Sequence, residues 1–179
     1  FAEAYVYLGQ AMHFLGRIDD ALRCGETAVR LEPSSATGHL NFGRTLLANG
    51  RIEEAIFHFR EAITLNGRLA EAYENYAYSR RVDAGDTFSD DLHAALAERG
   101  WSDGERARLL YAAGKVADDR GNHDAAMTHW IEGARLRRKS TKFNIAASRK
   151  QFAGYQAVFD TTLFESRLHR PVEGPTPIF

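Results

Sequence analysis

Small and apolar residues recur along the first seventy or so positions with two periods at once. Within each segment they fall three and four residues apart, the spacing that lines one face of a helix. Tyr5, Leu8, Gly9 and Met12 make one such face, and Ala21, Leu22, Ala28, Val29 and Leu31 make a second. Between segments the pattern returns at an offset of 34: Gly9, Gly16, Ala21, Ala28 and Leu31 reappear as Gly43, Gly50, Ala55, Ala62 and Leu65. Phe42, Leu46, Ile56, Phe59 and Ile63 fill the corresponding faces of the second unit. The links Leu15-Gly16-Arg17 and Asn49-Gly50-Arg51 are short enough to force antiparallel neighbours. Pro33 prevents the second helix from continuing, because it lacks an N–H and clashes with the preceding turn. Asn66-Gly67 ends the corresponding helix of the next unit, since both residues tolerate a left-handed conformation.

A period of 34, with a small residue in the first helix, a glycine turn, then two alanines seven apart, resembles the tetratricopeptide repeat. The small residues let two helices approach closely, so the pattern states a packing requirement. The expected fold is all-α, a right-handed superhelix of helix pairs with a capping helix at its carboxyl end. Repeats are placed at about 2–35, 36–69, 70–102 and 103–139, a capping segment at 140–170 and a linker at 171–179. The third repeat opens normally with Ala70-Glu71-Ala72-Tyr73, puts Tyr76-Ala77 in the Leu-Gly slot, and then drifts. Asp83 to Thr87 makes its turn, and the helix expected at about Ser89 to Arg99 lacks alanines in register. Gly114 resumes the pattern three residues late, with Leu110, Gly121, Ala126, Trp130 and Ala134 in the matching positions. Ser102-Asp103-Gly104-Glu105 is a capping box, in which each end satisfies the other's free N–H. A short third-repeat helix and a long first helix in the fourth repeat follow. A further helix is expected from about Asn144 to Asp160, with Phe152, Tyr155 and Phe159 on a face that either covers the last repeat or docks to whatever follows, and a short one near Thr162 to Leu168.

Composition changes this picture little. The net charge of −1 argues against a dedicated nucleic-acid binder, and the single Cys24 excludes an internal disulfide. No apolar run approaches the length of a membrane span, and a reduced, cytoplasmic setting is expected. Phe1 stands where the last residue of a preceding repeat would lie, and Pro177-Ile178-Phe179 reads as the start of a buried strand, so flanking segments are expected at both ends.

The stretch from Ala70 to Phe179 resembles the end of the repeat region in tetratricopeptide-containing bacterial sulfotransferases. The residues that carry this are the broken third repeat, Asp118 to Ala126, His129 to Arg138, and the closing Pro-Ile-Phe. The resemblance implies a parent enzyme that transfers a sulfuryl group from 3′-phosphoadenosine-5′-phosphosulfate, with its phosphate loop beyond Phe179. No glycine-rich strand-to-helix turn of that kind occurs in these 179 residues, so no catalytic, cofactor or metal residue is assigned.

The candidate chemistry is therefore a binding face. By repeat position, the first helices present Val6, Gln10, His13, Leu40, Asn41, Arg44, Glu74, Asn75, Tyr78, Arg81, Tyr111, Lys115 and Asp118 to the concave groove. Asn41 and Asn75 share one repeat position, where an amide can grip a peptide backbone through donor and acceptor together. Tetratricopeptide proteins that clamp acidic carboxyl-terminal tails need lysine or arginine where this chain has Val6, Ala70 and Glu74, so that specificity is not expected. A basic run, Arg135, Arg137, Arg138, Lys139, Lys142, Arg149 and Lys150, either complements a helix carboxyl end or meets an acidic partner or phosphate. The seven histidines show no pair at i, i+3 or i+4, Asp119 and His123 are expected to bond only locally, and Asp90-Asp91 and Asp118-Asp119 point apart on their helices. The two functional readings are a protein-interaction module in a larger sulfotransferase and a free-standing adaptor.

Overall fold

The computed structural model describes residues 1–140 and 145–158, and all regular structure there is helical. The helices are α1 (Ala2–Phe14), α2 (Ile18–Leu31), α3 (Ala36–Ala48), α4 (Ile52–Leu65), α5 (Ala70–Ser79), α6 (Phe88–Ala97), α7 (Asp103–Asp119), α8 (His123–Ser140) and α9 (Ile145–Val158). Helices α1–α8 belong to one compact unit, and α9 to a second. Lys142, Phe159, the helix expected near Thr162 to Leu168 and the 171–179 linker lie outside the described residues.

The glycine positions explain the pairing. A Cβ added to Gly43 would lie 2.7 Å from the ring of Phe59, and one added to Gly114 would lie 2.3 Å from Trp130 Nε1. In each case an aromatic of the second helix fills the space that a side chain would need. The first repeat inverts this arrangement: Gly25 stands in the aromatic's place, and Phe42 from the next repeat packs over it, 2.4 Å from where a Cβ would be. Ala21, Ala28, Ala55, Ala62 and Ala126 are all buried, as close helix contact demands. Ala134 is not: it is exposed, and Gly133 takes the inner position, where an added Cβ would lie 3.3 Å from Ala107 O. Seven residues after each first-helix glycine, Gly16, Gly50 and Gly121 adopt φ of 71°, 78° and 76°, which L side chains rarely reach.

The irregular third repeat takes a definite form. At ten residues, α5 is three shorter than α1 or α3, and α7 extends to 17. The expected capping box is present, with Ser102 Oγ accepting from Glu105 N and the Glu105 carboxylate accepting from Ser102 N. The Ser102 hydroxyl, and after it the Ser102 N–H, donate to the Glu105 carboxylate and hold that carboxyl below its ordinary range. Helices α5 and α6 both pack on α7, and the Phe88 ring of α6 stacks on Tyr76 of α5 at 4.3 Å. The intervening loop is pinned to the end of α7: Asp119 Oδ2 accepts from Val82 N at 2.9 Å, and Arg120 Nη2 donates to Asp83 O and Ser89 Oγ.

The core is continuous from Leu40 to Val116, with Phe59, Phe88, Leu46, Leu92 and Val82 fully enclosed. Tyr5, Leu8 and Met12, expected on a packed face, instead border an open cavity of about 350 Å³ with Cys24, whose thiol is raised by burial and by the Asp20 charge. In helix α9, Gln151 donates to Tyr155 Oη and the rings of Phe152 and Tyr155 meet edge-on.

Candidate functional site

Helices α1, α3, α5 and α7 place their outward residues side by side, and the 34-residue period extends into their hydrogen bonds. Asn41 Nδ2 donates to Thr37 O at 2.9 Å, and Asn75 Nδ2 donates to Glu71 O at 2.8 Å. One turn on, Thr45 Oγ1 donates to Asn41 O and Ser79 Oγ to Asn75 O. Each amide thus spends one N–H on its own helix and keeps its second N–H and its carbonyl oxygen for other partners.

The charged members are largely paired with one another. Arg44 reaches across to Glu71 of α5 at 3.2 Å, and Arg108 of α7 reaches back to Glu74. Lys115 grips Asp119 at 2.6 Å, and Arg81 donates to the Asp119 carbonyl. Asp118 pairs with His123 at 2.9 Å, so His123 takes Asp118 and not the Asp119 suggested by sequence. Val6 and Leu40 are buried between helices and offer a ligand no surface. Tyr111 is half-buried. Tyr78 is largely exposed, yet partial burial and the Glu74 charge raise its hydroxyl, with a hydrogen bond to Trp130 opposing them.

A hollow lies at the amino-terminal end of the face. Gln10, His13, Phe14, Asn41, Arg44 and Thr45 surround one shallow depression that encloses only about 10 Å³. His13 Nδ1 is shut off from solvent there and has no hydrogen-bond partner. Such a surface cannot swallow a small substrate. It can contact a chain laid across it.

The basic run divides between the two units. Arg135, Arg137, Arg138 and Lys139 lie on α8, where Lys139 pairs with Asp103 at 3.4 Å, and Arg149 and Lys150 lie on α9. No group of three or more His, Cys, Asp or Glu that could hold a metal occurs among the described residues, and no described helix is long and apolar enough to cross a membrane.

One polar constellation has no signature in the sequence. His39 Nδ1 lies 2.9 Å from His58 Nδ1, and His39 Nε2 lies 3.0 Å from the Pro33 carbonyl. The two histidines are on different helices, so spacing along one helix face cannot reveal them.

Residues 2–70 match the tetratricopeptide repeat family model. Among curated proteins, human anaphase-promoting complex subunit 7 is 38% identical over 73 residues, which is 41% of this chain and 13% of that one. Drosophila melanogaster protein O-mannosyl-transferase Tmtc2 is 34% identical over 74 residues, covering 41% of this chain and 8% of that one. The chain therefore spans only a small share of the length of these relatives. Among solved structures, MamA superposes with a TM-score of 0.61 at 20% identity, over 79% of this chain and 81% of that one, a likeness of fold. Residues 2–70 thus carry the tetratricopeptide repeat sequence, and the helical stack shares its fold with MamA.

Proposed function

We propose that the chain is a protein-interaction module that holds an extended or helical peptide across the face of α1, α3, α5 and α7. The observation that carries this is the depression ringed by Gln10, His13, Asn41 and Arg44, in which His13 Nδ1 is buried without a partner. A buried polar atom without a partner costs about 1–3 kcal/mol, and a turn of the His13 ring toward a bound peptide would let that nitrogen take the missing bond. The free amide edges of Asn41 and Asn75 would grip the same backbone further along.

Peptides selected from a random display library on the intact protein provide the test. Replacing His13, Asn41 and Arg44 together by Ala should weaken the selected peptides by at least about tenfold, the value of one or two polar contacts. Unchanged affinity would move the binding surface off this face.

For the parent architecture, we propose the amino-terminal arm of a sulfotransferase, supported by the order and spacing of residues from Ala70 to Phe179. Reading the parent gene past Phe179 is the test: a glycine-rich phosphate loop found there would support that arrangement. A stop codon there leaves a free-standing adaptor, with the peptide face unaffected.

A further inference from the structure

The joint formed by α6, α7 and α8 differs from its counterpart formed by α2, α3 and α4, and the difference leaves a cleft. Gly114 corresponds to Gly43, so Ala113, Ala117, Ala125 and His129 stand where the earlier joint has Phe42, Leu46, Glu54 and His58. In that joint Phe42 packs over Gly25 and against the His58 ring at 4.6 Å, and Leu46 is fully buried. Here both large side chains are reduced to methyl groups, and a cavity of about 420 Å³ opens. That volume falls within the range of small-ligand pockets.

The lining is chemically one-sided. Leu92, Ala113, Val116 and Ala117 supply apolar walls, and His93, Arg120, Asn122 and His129 supply the polar groups from three directions. None of the lining residues is acidic. Glu54 of the counterpart joint is replaced by Ala125. The nearby acids Asp118 and Asp119 are already paired with His123 and Lys115. Arg120 is fixed in place by the bonds from its Nη2 to Asp83 O and Ser89 Oγ, and its other N–H groups remain for a ligand.

We infer that this cleft binds a carboxylate carried on a short apolar body, with the apolar portion against Ala113 and Ala117 and the carboxylate toward Arg120 and His129. The same chemistry is offered by a free aliphatic acid and by the carboxyl end of a peptide finishing in an apolar residue. The site is separate from the α1–α3–α5–α7 face and stands or falls independently of it.

The test is an NMR titration of the intact chain with hexanoate, with hexanol, and with a short leucine-terminated peptide in free-acid and amidated forms. Hexanoate or the free-acid peptide should shift the Ala113, Ala117 and His129 signals to saturation, at least about tenfold more tightly than hexanol or the amide. The tighter of the two acids identifies the source. Ala117→Leu, which restores the residue of the earlier joint, should weaken binding by about tenfold or more. Ala125→Glu, on the half-exposed rim, should do the same by charge alone, which keeps the test decisive if the first variant folds poorly. Absence of a saturable shift, equal response to acid and alcohol, or full binding by Ala125→Glu overturns the assignment.

Discussion

His39 and His58 face each other through their Nδ1 atoms at 2.9 Å, while the far nitrogen of His39 meets the carbonyl of Pro33 at 3.0 Å. The carbonyl can only accept, so His39 carries a proton on Nε2, and a ring with that single proton accepts at Nδ1. His58 must then donate from its own Nδ1. The two rings thus tie α3 and α4 to the residue that ends the α2 segment.

This arrangement makes stability pH-dependent. Burial, reinforced by the neighbouring His39, lowers His58 from 6.5 to about 4, against a smaller opposite pull from Glu54. The unfolded chain takes up a proton near pH 6.5 and the folded one does not until about pH 4. Folding is therefore favoured above that window and loses ground as pH falls through it. The ring is half-buried, so solvent screening reduces the effect to about 1 kcal/mol. His58→Gln keeps a donor for His39 and does not titrate. Urea denaturation at pH 7 and pH 4.5 should show its stability changing less between the two than that of the parent. An equal change in both would remove His58 as the cause.

Gly114 is expected to tolerate no side chain while Trp130 is present. A methyl group there would meet the indole at 2.3 Å, and overpacking of this kind costs about 1–3 kcal/mol. In a Trp130→Ala background the same Gly114→Ala change should become neutral or stabilising, since alanine favours a helix by about 1 kcal/mol over glycine. A double-mutant cycle in thermal or urea denaturation would show this as coupling of at least about 1 kcal/mol. Additive effects would mean that the indole yields freely.

Much of the fold can be read along the chain because its determinants are local and repeat. Gly9 and Gly43, the two-alanine spacings and the Ser102–Glu105 box each act within one or two helices. Two positions show where that local reading fails. Ala134 matches the pattern by residue type, but seven residues after Ala126 comes Gly133, whose missing side chain is what the contact with Ala107 requires. Repeat position assigns Val6 and Leu40 to the groove, yet they are buried, because apolar side chains at a helix edge turn inward when a neighbouring repeat offers cover. The His39–His58 contact and the cleft beside Ala113 depend on which side chains meet across helices, and such meetings leave no mark in the spacing along one helix.

The link between α5 and α6 should depend on Asp119. Its carboxylate accepts from the Val82 amide at 2.9 Å and from Lys115, and Val82 itself is fully buried. Asp119→Ala leaves that amide without a partner, at a cost of about 1–3 kcal/mol. The loss should be local first: hydrogen exchange at Val82 should accelerate strongly, while the Phe59 region keeps its protection. Asp119→Asn retains an acceptor and should lose less. Uniform acceleration through the whole stack would make Asp119 a global determinant and not a local pin.

Helix α5 carries acids to both neighbours, Glu71 to Arg44 of α3 and Glu74 to Arg108 of α7. All four side chains keep contact with water, so each pair should contribute at most about 1 kcal/mol. Glu74→Gln should therefore lower the melting temperature only slightly. Arg108→Glu is more demanding, because it sets two carboxylates against each other where an ion pair stood. The destabilisation should shrink when salt rises from about 20 to about 500 mM, as the Debye length contracts. The exchange Glu74→Arg with Arg108→Glu should recover most of the loss, since the attraction is restored with its direction reversed. Failure of the exchange, together with no salt dependence, would mean that the arginine stem packs on α5 and that its charge is incidental.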